Sequence, residues 1–228
     1  MPDSPTPPKG RSSWPTWISA SLTVTLGFGE PRDLDNLQRV REAAGHDCAV
    51  MVDANQAWDL ATAIDRMQAL RRHDLGWIEE PLRADRPWTE WQALRAHAPA
   101  PLSAGENVAG GEAFDALIAS GAVHVVQPDV AKWGGISGTL EVVRRVQAAG
   151  LRHCPHCLGA GVGLLHSAHL LAATGGGGWL EVDANDNPLR MLLCGGLNEV
   201  HEGRARLGRT AGIGIEPDLR LLREASAC

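Results

Sequence analysis

The sequence predicts a parallel α/β fold, a TIM-type (β/α) barrel with about seven recognisable βα units, and three observations carry that prediction. Short apolar runs alternate with amphipathic stretches along most of the 228 residues, and no hairpin signal interrupts them. Each run closes on a polar residue. The runs recur every 23 to 27 residues, roughly the 25 needed for one strand, one helix and two short loops. Seven such units exceed what an open doubly wound sheet normally uses, so the barrel is preferred over that alternative.

The strand candidates are SLTVTL (21–26), CAVMVD (48–53), LGWIEE (75–80), APLSAGE (100–106), VHVVQPD (123–129), LRHCPH (151–156) and GWLEVD (178–183). They are short and bounded by Gly or Pro, and several are rich in Val, Ile or Trp, as strands buried on both faces are. Between them, Asp33 is placed to N-cap a helix bearing Leu34, Leu37 and Val40 on one face. Asp59 precedes an i, i+3, i+4 stripe of Leu60, Ala63, Ile64, Met67 and Leu70, and Asp85 with Pro87 opens a third helix. Residues 111–120, 137–149 and 163–174 supply three more, with Gly45, Gly121 and Gly150 where a C′ glycine ends a helix. Residues 1–17, with prolines at 2, 5, 7, 8 and 15, are expected to form a disordered tail. The barrel domain is assigned to 18–228.

Composition narrows the function. Twenty-one basic against 27 acidic residues give a net charge of −6, the wrong sign for a nucleic-acid binder. No stretch of 18 uninterrupted apolar residues appears, so no membrane span is expected. Five cysteines are an odd count without a disulfide framework, and the N-terminus lacks the apolar region of a signal peptide, so a cytoplasmic protein is expected. Lys9 and Lys132 are the only lysines and tyrosine is absent, which leaves few candidates for a Lys or Tyr base.

The residues that close the runs carry the chemistry: Asp53, Glu79, Glu106, Asp129, His156 and Glu181. In a parallel barrel all strand C-termini open at one mouth. Asp53, Glu79 and Glu106 would then converge, and two like charges 4 Å apart repel by roughly 4 kcal/mol at an effective dielectric of 20. Such a trio requires a cation or a proton, and hard oxygen donors point to Mg²⁺. The plain alternative is that each acid caps a helix or pairs with an arginine. Asp129 and His156 stand on adjacent strands, where a carboxylate fixes one imidazole nitrogen and leaves the other as a base. Rival motifs are weak. HCPHC (153–157) lacks the second Cys pair of a zinc site, and GAGVG (159–163) departs from the dinucleotide fingerprint. GGGG (175–178) is no phosphate loop, and there is no Gly-x-Ser-x-Gly elbow.

Taken in order, VMVDANQAW, GWIEEPL, PLSAGEN, VVQPDVAKWGGIS, HCPHCLGAGVG and WLEVDANDNPLR resemble the C-terminal barrel of the enolase superfamily, mandelate racemase subgroup, over about 27–217. The resemblance implies Mg²⁺ bound by Asp53, Glu79 and Glu106, a base dyad of Asp129 and His156, and Glu181 donating a hydrogen bond to a substrate carboxylate. It implies abstraction of the proton α to a carboxylate in a small hydroxy- or sugar-acid, through an enediolate. The PHCLG-type loop looks most like acid-sugar dehydratases and lactone cycloisomerases.

Two departures from the family pattern stand out. Its Lys-x-Lys falls on Thr23 and Thr25 here, and Lys132 occupies a loop position at which the family carries a basic residue without a catalytic role. Neither an N-terminal α+β capping domain nor a first barrel strand is recognisable; the two unpaired edges expected of such a barrel invite association, and either a gap between 21–26 and 178–183 or closure by 14–20 is expected. Two alternatives remain: a catalytically inactive metal-binding barrel, and a glycosidase using Glu79 or Glu80 with Glu181. The latter leaves Asp53, Glu106 and the dyad without a role.

Overall fold

The structure is a computed structural model that describes residues 21–175 and 177–225; the predicted tail, and the closing segment 14–20, lie outside the described residues. Six parallel strands form one sheet in chain order: β1 (Ser21–Thr25), β2 (Ala49–Asp53), β3 (Leu75–Glu79), β4 (Leu102–Ala104), β5 (Val125–Val126) and β6 (Arg152–His153). The helices between them are α1 (Glu30–Ala44), α2 (Leu60–Leu70), α3 (Trp88–Arg95), α4 (Gly111–Ser120) and α5 (Gly135–Ala148), followed by α6 (Gly161–Thr174), α7 (Pro188–Leu193) and α8 (Leu219–Ala225). Consecutive strands in parallel register, each linked through a helix, are the βα repeat that the spacing predicts.

Strand alternation divides the side chains. Val24, Val50, Val52, Ile78, Leu102, Ala104 and Val126 face the helices and share a buried core with Leu37, Met67, Trp91 and Phe114. On the opposite face Met51, Trp77, Val125 and Cys154 form a second cluster, joined by Trp179 whose ring lies 5.4 Å from that of Trp77. Asp53 and Glu79 follow Met51 and Trp77 by two residues, so the pleat carries both carboxylates onto this inner face.

Three expectations are corrected. The run 178–183 is not a strand of the sheet. Gly178 instead sits so close to β6 that a Cβ on it would collide with the His153 carbonyl oxygen. The Trp179 N–H donates to Cys154 Sγ at 3.4 Å, so this segment lies against β6 without a backbone ladder. Asp33 does not cap its helix, which begins at Glu30 with Pro31 in its first turn. Buried within that turn, the Asp33 carboxylate accepts from the Gly27 and Phe28 N–H groups at 2.9 and 3.1 Å, tying α1 back to the end of β1. The third helix begins one residue after Pro87, and its first turn lacks a side-chain cap. Asp59, by contrast, caps α2 through the Thr62 N–H as expected.

Candidate active site

The acids at the strand ends arrive by different routes. Asp53 and Glu79 are the last residues of β2 and β3 and are aligned in register. Asp53 turns back on its own loop, accepting from the Asn55 backbone and side-chain N–H groups at 2.8 and 2.5 Å. Glu79 is almost fully buried and accepts from Trp77 Nε1 at 3.1 Å. Glu106 lies beyond β4, delivered by a close approach: a Cβ on Gly105, whose φ is +146°, would stand 2.7 Å from the nitrogen of Gln127, the residue after β5.

Asp129 and His156 form the predicted dyad, with Nδ1 2.7 Å from Asp129 Oδ2. The remaining Asp129 oxygen is fixed by the Ala131 N–H at 2.7 Å. The other imidazole nitrogen, Nε2, lies 2.6 Å from Glu106 Oε2. Glu106 Oε1 accepts from Asn107 Nδ2 at 2.8 Å and from the Lys132 ammonium at 3.3 Å. Glu181 Oε2 accepts from the Cys157 N–H at 3.1 Å, which brings the unladdered segment to the same place.

Electrostatics follow from this packing. Burial raises Asp53 to about 6, with the Glu106 charge adding to it against the Asn55 hydrogen bonds. Burial, then the Asp53 charge, raises Glu79 to about 8, and burial raises Glu181. Burial pulls His156 down, but its hydrogen bonds to Asp129 and Glu106 outweigh that and hold it well above an ordinary histidine. The same bonds hold Asp129 and Glu106 low against their burial. Cys154 and Cys157 are buried thiols pushed up to about 11 and about 12, so at neutral pH both stay protonated.

Each predicted site residue is therefore found at this end of the sheet, although the three acids are not equivalent. Asp53 and Glu79 stand side by side, while Glu106 is engaged by His156, Lys132 and Asn107. Among the described residues no three His, Cys, Asp or Glu side chains are grouped as tightly as an ion would hold them. Neither Asp53 nor Glu79 has an Arg or Lys partner within ion-pair distance among the described residues. Lys132, assigned no catalytic role from its position, reaches Glu106. Sequence reasoning missed Asn107, Trp77 and Gln127, the last of which hydrogen-bonds Glu79 through its side chain. The last two precede Glu79 and Asp129 by two residues, and the period-2 rule could have found them.

The family model for enolase C-terminal domain-like proteins matches residues 23–221. The chain belongs to that family. Its relatives include the L-talarate/galactarate dehydratase of Salmonella typhimurium, 34% identical over 84% of this chain and 46% of the dehydratase. A solved mandelate racemase/muconate lactonizing enzyme from Bordetella bronchiseptica superposes with a TM-score of 0.88 at 53% identity, over 91% of this chain and 58% of that one. The L-talarate dehydratase of Polaromonas sp. JS666, solved with Mg and L-glucarate, superposes with a TM-score of 0.76 at 26% identity, over 90% of this chain and 55% of that one. The chain spans about half the length of the curated relatives it matches. No helix among the described residues is long and apolar enough to cross a membrane.

Proposed function

We propose that this member of the enolase C-terminal domain-like family removes the proton α to the carboxylate of a hydroxy- or sugar-acid, with Mg²⁺ held by Asp53, Glu79 and Glu106. The donor chemistry supports the metal. Asp53 and Glu79 are hard oxygen donors without an Arg or Lys partner among the described residues, and burial raises both pKa values, with the Glu106 charge adding to it at Asp53 and the Asp53 charge at Glu79, the mark of a charge cluster that a divalent cation neutralises. Bound Mg²⁺ supplies positive charge beside the substrate carboxylate, which makes the α-proton acidic enough to remove. The dehydratase neighbour that holds Mg and L-glucarate supports both the ion and the substrate class.

The protein's own groups do the rest. Asp129 fixes the His156 tautomer through Nδ1, so Nε2 is the nitrogen that takes the proton. That nitrogen must first part from Glu106, and loss of this partner lowers the imidazole pKa toward the range of a working base. Glu181, whose pKa burial raises, is the group that in its protonated form donates to the substrate carboxylate and stabilises the enediolate. The observation that carries the reading is the buried contact of 2.7 Å between His156 Nδ1 and Asp129 Oδ2.

The test is exchange of the α-hydrogen in D₂O, followed by proton NMR over a panel of hydroxy- and sugar-acids with Mg²⁺ present. Exchange with at least one acid, lost in His156→Asn, is expected. Exchange that persists in His156→Asn overturns the assignment. A second reading, a metal-binding barrel without turnover, is favoured by Thr23 and Thr25 at the lysine positions of the family. It predicts Mg²⁺ binding with no exchange on any acid.

A further inference from the structure

Glu80 follows Glu79 and takes no part in the chemistry above, yet its environment is the least ordinary in the sheet. In an extended strand the side chain after Glu79 would point to the helix layer, where Ile78, Leu82 and Leu102 are fully buried. The backbone prevents this. Glu80 has φ +38°, a left-handed conformation that non-glycine residues rarely adopt. Its N–H donates to the Ser103 carbonyl at 3.0 Å and its carbonyl accepts from the Gln56 N–H at 2.8 Å, so both sides of the turn are pinned. Gln56, itself at φ +60°, accepts from the Ala84 N–H at 2.8 Å.

The strained turn places a carboxylate at 1% exposure. One of its oxygens, Oε2, accepts from Asn107 Nδ2 at 2.7 Å, and the other, Oε1, has no hydrogen-bond partner. The same Asn107 nitrogen donates to Glu106 Oε1 at 2.8 Å. An amide nitrogen has two hydrogens, and here both are committed to carboxylates on neighbouring strand ends. A buried carboxylate with an orphaned oxygen weakens a fold, and a strained backbone that maintains one calls for a functional explanation.

We infer that Glu80 is a positioning residue: through Asn107 it fixes the orientation of Glu106 and so sets how strongly the site binds Mg²⁺. The inference rests on the Mg²⁺ reading of Asp53, Glu79 and Glu106. Outer partners that orient a ligating carboxylate typically matter by 10- to 100-fold in metal affinity.

The experiment is Mg²⁺ titration of the full chain by isothermal calorimetry, with thermal melting alongside. Glu80→Met removes the acceptor at similar volume. Its Mg²⁺ dissociation constant is expected to rise about 10- to 100-fold, with a melting temperature equal to or above that of the unsubstituted protein. Glu80→Gln keeps an oxygen facing Asn107 and recovers most of the affinity. Asn107→Leu, at an exposed position, reproduces the loss and decides the question should Glu80→Met fail to fold. The double variant loses no more than either single one, because both cut the same connection. Unchanged Mg²⁺ affinity in a folded Glu80→Met, or losses that add in the double variant, overturns the inference alone. An unsubstituted protein that binds no Mg²⁺ overturns the metal reading and the inference with it.

Discussion

His153 gives the stability of this protein a pH dependence that can be worked out from its surroundings. The side chain is 2% exposed on β6, and neither ring nitrogen has a hydrogen-bond partner. Burial alone lowers its pKa to about 4, against about 6.5 in the unfolded chain. The folded pKa is the lower one, so its contribution is fully present above pH 6.5 and is lost as the pH falls toward 4, where the unfolded chain binds a proton that the native ring refuses. Linkage gives a loss of about 2 kcal/mol between pH 7.5 and 5, and about 3 kcal/mol by pH 4. Other groups titrate in this window, so the test compares urea melts of the unsubstituted protein and His153→Leu at pH 7.5, 6.5, 5.5 and 5. The difference between the two is expected to be flat near pH 7.5 and to grow in favour of His153→Leu by about 2 kcal/mol at pH 5. At neutral pH the leucine should be no less stable, because it removes an N–H buried without an acceptor. A difference independent of pH would refute the reasoning.

Three further outcomes are expected. At 100 times its dissociation constant Mg²⁺ should stabilise the fold by about 2.7 kcal/mol, and Glu106→Gln should largely abolish that gain; a melting temperature indifferent to both Mg²⁺ and EDTA counts against the site. Asp33→Ala strands the Gly27 and Phe28 N–H groups and should cost about 1–3 kcal/mol in urea unfolding; a change within about 0.5 kcal/mol would show that the tie is dispensable. Gly105→Ala forces β4 and β5 apart at Gln127, so the protein should lose more than about 2 kcal/mol. Amide exchange at Gln127, which donates to the Ala104 carbonyl, should accelerate in that variant.

Much of this was legible in the sequence because a buried parallel strand and an amphipathic helix leave different periodicities. Six of the seven apolar runs are strands, and 111–120 is a helix with those limits. GWLEVD reads like the others but follows three glycines, and its Trp179 N–H goes to a thiol instead of a neighbouring carbonyl. Asp33 has the residue type of a cap, yet its oxygens go to the Gly27 and Phe28 N–H groups, six and five residues upstream and outside the helix, a demand of the β1–α1 connection that the capping rule does not report. Asn187 followed by Pro188 is a legible start for α7, where the asparagine accepts from the Arg190 N–H at 3.0 Å. At the site the acids were legible as polar ends of apolar runs. What Glu106 contacts was not, since His156, Lys132 and Asn107 meet it from residues up to fifty positions apart.

Stereochemistry provides the sharpest remaining constraint. Val24 is buried against the helices, so the pleat puts Thr23 and Thr25 on the inner face of β1, where both are exposed and Thr25 is aligned with Asp53. In the sheet order β1 stands at the opposite end from β6, the strand that leads into His156. Among the described residues, one end of the site therefore offers an oriented imidazole and the other offers the hydroxyls of Thr23 and Thr25, which do not act as bases near neutral pH. A positioned acid or base contributes about 10²- to 10⁴-fold, so a reaction that needs one at both faces of the α-carbon loses that factor here, while a reaction drawing on His156 alone keeps it. Proton exchange should accordingly be confined to one stereochemical face, read as deuterium entering without loss of optical purity. Racemisation of a hydroxy-acid at a rate matching exchange would require a second base, and neither Thr23 nor Thr25 provides one.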